Sequence, residues 1–293
     1  MVGKGLKFSL LVLLLASTGY ALPGAAQTED ALLASTRKAG TIKAAWGSAP
    51  PFTVVSPDGK GTGYSPEVLK LALKGMGVPT MTAVLTSWDA QIPALQAHHV
   101  DMVGAGLQYT EDRCKVLVYS GPVTVQRNGL YVLSGNPKHL TGSLSQIANS
   151  PDVKLAATAG SAQEAYALQA GVTPGQILRV PDVQAGVATV KGGRADAFYA
   201  GALAITHLEQ KGIEVVVNHD GPLAGYGAAF RKEDIRFRDE LDKQLDVLRS
   251  NGTMKQMLLE AYEKNGIAKK DALASWDRVA NTHRAKDVVP SCE

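Results

Sequence analysis

Residues 88–122 constrain this chain more than any other stretch. Ile92, Leu95 and Gln96 around Pro93 predict a short amphipathic helix. A buried strand over 100–105 follows, then a loop with Gly106 that delivers one arginine, Arg113, behind Thr110. A strand that ends in a loop of small residues leaves backbone N–H groups and side chains at its carboxyl end, where ligands dock in open α/β sheets. The planar guanidinium fork of Arg113 matches a carboxylate.

The first 26 residues stand apart. Lys4 and Lys7 precede an apolar run over 8–16, and Gly24-Ala25-Ala26 comes before Gln27, which reads as a cleavable signal peptide. The run is shorter than the roughly 20 residues a membrane span needs. With no cysteine near the cleavage site, the expected product is an exported periplasmic protein without a lipid anchor. Removing Lys4 and Lys7 lowers the formal charge from +3 to +1, and no basic run interleaves with aromatics, so nucleic acid is not an expected partner. The two cysteines, Cys114 and Cys292, either form one disulfide or stay as thiols; an oxidising compartment favours the bridge.

Alternation predicts a first strand over 41–46, after a polar helix in 27–40. Val68, Leu71, Ala72 and Met76 give a helix over 67–76, and a strand follows over 81–85. Such alternation argues for βα units on a mostly parallel sheet. A second set has strands at 130–133, 155–158, 177–180, 196–199 and 213–217, with helices at 163–168, 183–190 and 202–210. A long amphipathic helix over 237–249 follows, and the tail from 268 reads as a surface helix and strap. The fold class is α/β, with two lobes joined by crossings near Arg127 and Tyr226.

Pro50-Pro51-Phe52, the turn Gly59–Tyr64 (G-x-x-x-G-Y), the W-D…L-Q helix, the T-x-x-R loop and Ser120-Gly121-Pro122 occur in this order. Together they resemble the amino-acid group of periplasmic ABC-transporter solute-binding proteins. The resemblance implies two Rossmann-like lobes with a two-strand hinge: residues 27–128 and 226–293 as lobe one, 129–225 as lobe two. It implies Arg113 as carboxylate clamp, Gly106 and Gln108 on its loop, Phe52 and Trp88 as aromatic walls, and Tyr64, Tyr109 and Tyr199 as further aromatic candidates. Ser161 and Ala162 open a helix whose N–H groups suit the same anion.

The segments 50–63, 105–114, 119–122, 168–182 and 227–232 are similar to the ectoine/hydroxyectoine-binding subgroup, including a cysteine directly after the clamp arginine. Two differences stand out against that subgroup: Ala49 replaces an acidic residue and Gln108 an aromatic. Gly201 stands where ordinary amino-acid binders place an aspartate for the α-ammonium. An unpaired buried ammonium is costly, so the expected ligand is a small zwitterion with a delocalised or alkylated cation. The alternatives are an ordinary polar amino acid, or a cyclohexadienyl-dehydratase-like enzyme with Glu164 as its acid. The implied partners are that ligand and a membrane permease, and the protein is expected to act as a monomer, without cofactor, metal or covalent chemistry. His98-His99 reads as a surface pair, and Asp89, Asp101 and Asp196 as structural caps.

Overall fold

The computed structural model describes residues 30–49, 53–56 and 60–292. The signal-peptide segment and Phe52 lie outside the described residues. Walking the chain, the strands are β1 (Thr41–Trp46), β2 (Val54–Val55), β3 (Gly61–Thr62), β4 (Thr80–Leu85), β5 (Met102–Gln108), β6 (Leu117–Tyr119) and β7 (Thr124–Gln126). Then come β8 (Asn128–Leu133), β9 (Leu155–Thr158), β10 (Ile177–Val180), β11 (Ala197–Gly201), β12 (Ile213–Val217) and the returning β13 (Ala224–Arg231).

These strands build two sheets, one per lobe. The first has the order β4-β1-β5-β13-β6, with β7 also on β13; the second has the order β10-β9-β11-β8-β12. Each is mixed. β1 runs parallel to β4 and β5, whereas β13 is antiparallel to β5, β6 and β7. In the second sheet β9 is parallel to β10 and β11, and β8 is antiparallel to β11 and β12. The chain crosses between sheets at Arg127 and again over residues 218–223.

Both sheets are covered on both faces, so their central strands read as apolar runs. One face of the first sheet packs Val68, Leu69, Leu73, Phe237 and Leu241 from the helices Tyr64–Gly75 and Ile235–Ser250. The other packs Leu95, Val100, Cys114 and Cys292. The two faces of the second sheet carry clusters around Leu155 and Tyr199 and around Phe198 and Val190.

Three expectations change. The sheets are mixed where the sequence alternation argues for a mostly parallel one, because the strands that follow the two crossings, β8 and β13, run antiparallel to their neighbours. The segment 202–210 is not one helix: only Leu208–Lys211 is helical, and His207 has a left-handed backbone (φ 52°). None of its first N–H groups reaches an i−4 carbonyl: Ala202 donates to Arg127 O, Leu203 to Gln126 Oε1 and Ile205 to the Tyr131 hydroxyl, while Ala204 is shared between Gly201 O in a local turn and the same hydroxyl. The tail is more than a surface strap. The helix Lys269–Ala280 buries Ala272, Ser275, Trp276 and Val279, and the Ser275 hydroxyl donates to Val125 O on β7. Beyond it, Cys292 is bonded to Cys114, with their Cα atoms 5.0 Å apart.

Candidate functional site

The carboxyl ends of β5, β9 and β11 face one another across the gap between lobes, as open α/β sheets require of a binding cleft. Gly106 gives β5 its final turn. Its φ of 73°, a region costly for residues with a Cβ, bends the strand so that Leu107 and Gln108 line the cavity. The cavity holds about 150 Å³. Of the sequence candidates, it brings together Tyr64, Trp88, Gly106, Gln108, Arg113, Ser161 and Ala162. Tyr199 lines it too, but Tyr109 does not: its ring is fully buried beneath Gly225 and Gly227, and its hydroxyl donates to Ser120 O at 2.8 Å.

Arg113 sits in the short helix Glu111–Val116, whose cap is Thr110: the Thr110 hydroxyl accepts the Arg113 N–H at 3.2 Å. Its guanidinium donates through Nη1 to Gln108 O at 2.9 Å and through Nη2 to Gly160 O at 2.8 Å. The second of these bonds joins the two lobes. A guanidinium carries five N–H donors, so both bonds together leave donors for an anion in the cavity. Trp88 reaches the cleft because Gly47 has no side chain; a Cβ there would lie 2.5 Å from the indole.

On the second lobe, Ser161 caps the helix Ala162–Gln169 by accepting the Glu164 N–H at 3.2 Å. The Glu164 carboxylate in turn accepts the Gly160 N–H at 2.8 Å and pairs with Arg179 at 2.7 Å. The next residues of this first turn, Ala162 and Gln163, line the cavity with N–H groups that have no intrahelical partner. Gly160 itself has φ 71°, and a Cβ there would lie 2.6 Å from Asp89 Cβ of the first lobe. The lobes therefore touch backbone to backbone at this point.

Gln163, buried at the same helix start, donates to Gln108 Oε1 at 2.7 Å, a second contact between lobes, and to Asn128 Oδ1 on β8 of its own lobe at 2.9 Å. The helix N-terminus that singles out Ser161 also points to Gln163, two residues on. Gln126, Thr53, Ser65 and Tyr226 also line the cavity, and no local motif marks them. Arg113 is the one ionised side chain among the described lining residues. Tyrosines supply no counter-charge: burial pushes the Tyr64, Tyr199, Tyr226 and Tyr262 hydroxyls up from their ordinary range, so they stay protonated. Asp101 and Asp196 act as strand-end acceptors for Lys43 N and Lys154 N, both at 2.8 Å. Asp89 faces solvent and accepts the Ser87 hydroxyl at 2.6 Å.

The pattern of the bacterial extracellular solute-binding proteins, family 3, matches residues 42–264. A probable amino-acid ABC transporter periplasmic-binding protein of Sinorhizobium fredii is 29% identical over 231 residues, 75% of this chain and 76% of that protein. Among solved structures, EhuB in complex with hydroxyectoine superposes with a TM-score of 0.73 at 33% identity, covering 85% of this chain and 97% of the other. The ancestral amino acid-binding protein AncCDT-1, described as a precursor of cyclohexadienyl dehydratase, gives 0.68 at 27% identity, covering 80% and 98%. None of the described helices is long and apolar enough to cross a membrane. The chain belongs to the family 3 bacterial extracellular solute-binding proteins.

Proposed function

We propose that this family 3 solute-binding protein is the exported, monomeric receptor of an ABC importer. It closes two lobes around a small carboxylate-bearing zwitterion of the ectoine or betaine kind and presents it to a membrane permease. The observation that carries this reading is the charge inventory of the cavity: Arg113 for a carboxylate, and no acidic side chain among the described lining residues. A primary ammonium in such a cleft loses its hydration without gaining a counter-ion. A delocalised or alkylated cation sheds less hydration and gains from aromatic faces, which Trp88, Tyr64 and Tyr226 line the cavity to offer. The likeness to EhuB supports the same class.

A dehydratase on this fold needs a proton donor at its substrate. Glu164 is a poor candidate, since it lies outside the cavity lining with one oxygen on Gly160 N and the other on Arg179. Steady turnover of prephenate or arogenate by the purified protein would overturn the receptor reading.

The test of ligand class is calorimetry against ectoine, hydroxyectoine, glycine betaine, glutamine, arginine and histidine. Binding of the first three in preference to the amino acids is expected. Submicromolar binding of an ordinary amino acid, with ectoines and betaine silent, would refute it.

A further inference from the structure

We infer that Gln126 is a specificity-determining residue of this cavity, selecting solutes that place a hydrogen-bond acceptor, and not a primary ammonium, against the turn after β11. The inference rests on the cavity being the solute site and deepens that reading.

Gln126 ends β7, at the crossing between sheets, and its half-buried side chain lines the cavity. Side-chain amides are ordinarily ambiguous, because O and N exchange by a flip. Here the ambiguity is removed. The Leu203 N–H points at the amide from 2.8 Å, and only an oxygen can accept it. That oxygen is Oε1, so the amide's other atom, lying above Gly201, is the Nε2 donor. A Cβ on Gly201 would be 2.8 Å from Nε2, so the amide occupies the space any side chain at that position would need.

The arrangement is held firmly. The Tyr131 hydroxyl donates to Gly201 O at 2.7 Å and accepts Ala204 N at 3.1 Å and Ile205 N at 3.3 Å. Ala202 N donates to Arg127 O at 2.8 Å. Swinging Gln126 aside would orphan Leu203 N, at the cost of an unmade hydrogen bond. The neighbouring wall is apolar, made of Val183, Ala200, Leu203 and Ala204. What this wall offers a ligand is therefore the N–H dipole of Gln126, positive end outward.

A donor facing one small space calls for an oxygen on the ligand besides those held by Arg113, such as a hydroxyl or carbonyl. It repels a group that is itself only a donor.

The test is Gln126→Glu in the full mature chain. The change is isosteric, keeps an oxygen for Leu203 N–H, and turns the outward donor into an anionic acceptor. Calorimetry with hydroxyectoine, ectoine, glycine betaine, L-glutamine and L-arginine should show the ratio of amino-acid to non-amino-acid affinity rising at least tenfold. A ratio unchanged within twofold overturns the inference, whichever probe the wild type prefers. If the wild type already prefers an amino acid, the ligand-class reading fails, and the inference stands only if Gln126→Glu tightens that binding tenfold further. If the wild type is silent and the variant binds an amino acid, the inference stands alone; if both are silent, both readings fall. Should Gln126→Glu not fold, Gly201→Ala displaces the same amide with one methyl. It should weaken the wild type's best probe at least tenfold, and a change within twofold again overturns the inference.

Discussion

Cutting the Cys114–Cys292 bridge is expected to unlatch the tail and lower the stability of the first lobe. The bond joins residues 178 apart in sequence. For a closed loop of that length the chain-entropy relation allows about 5 kcal/mol, and measured values usually fall short, which leaves about 2–4 kcal/mol. The native contacts it protects are specific. Cys292 and Cys114 are buried with Leu95, Val100, Leu117 and Tyr119, and Arg284 and His283 reach Asp246 at 3.1 Å. The assay is urea unfolding of the oxidised chain, the reduced chain and a Cys114→Ala/Cys292→Ala variant, followed by tryptophan fluorescence. With a urea slope of about 2–3 kcal/mol/M, the midpoint should drop by about 1 M. Comparing reduction with double substitution separates the cross-link from the loss of two buried sulfurs. Hydrogen exchange should show amides 281–292 losing protection first. Midpoints equal within error for oxidised and reduced chains would refute the reasoning, since the tail would then be held by packing alone.

Arg113→Ala should leave the unfolding midpoint nearly unchanged but weaken the best-binding panel solute by about two to four decades, from about 3–5 kcal/mol for a desolvated carboxylate left unpaired; calorimetry within a few-fold of wild type would place the carboxylate elsewhere. Gly160→Ala should weaken the same binding at least tenfold, because its Cβ meets the Asp89 backbone at 2.7 Å and must part the lobes; unaltered affinity would contradict the lobe contact. Asp242 supplies a pH test. Burial pushes its carboxyl up to about 7, against the opposing pull of the Gly121 N–H and of Arg284 and Arg238. The folded chain thus holds this proton more tightly than the unfolded one. Its contribution is full below the unfolded carboxyl range near pH ~4 and is lost as pH rises to about 7. Asp242→Asn should remove about 2–3 kcal/mol of the stability difference between pH 5 and pH 8; urea unfolding with an unchanged pH difference would contradict this.

Local pattern carried much of the architecture. The alternation over 41–46 is β1 residue for residue, and the apolar stripe of Val68 and Ala72 lies on the buried face of the helix Tyr64–Gly75. Periodicity reports burial, and capping residues such as Thr110 and Ser161 report helix starts; both are short-range signals. The resemblance added Arg113 and its loop. The segment 202–210 failed for the opposite reason. Its apolar spacing suits a helix, but Gln126, Arg127 and Tyr131 take its N–H groups from the neighbouring strands β7 and β8, and tertiary bonds override propensity. The tail's helix was legible, but its burial against β7 depends on which strand the crossing leaves uncovered. Gln126 illustrates the division most plainly. As a residue type it is an unremarkable polar side chain after a short strand. Only the packing of β7 beside the turn after β11, 77 residues away, orients its amide over Gly201 and makes it part of the site.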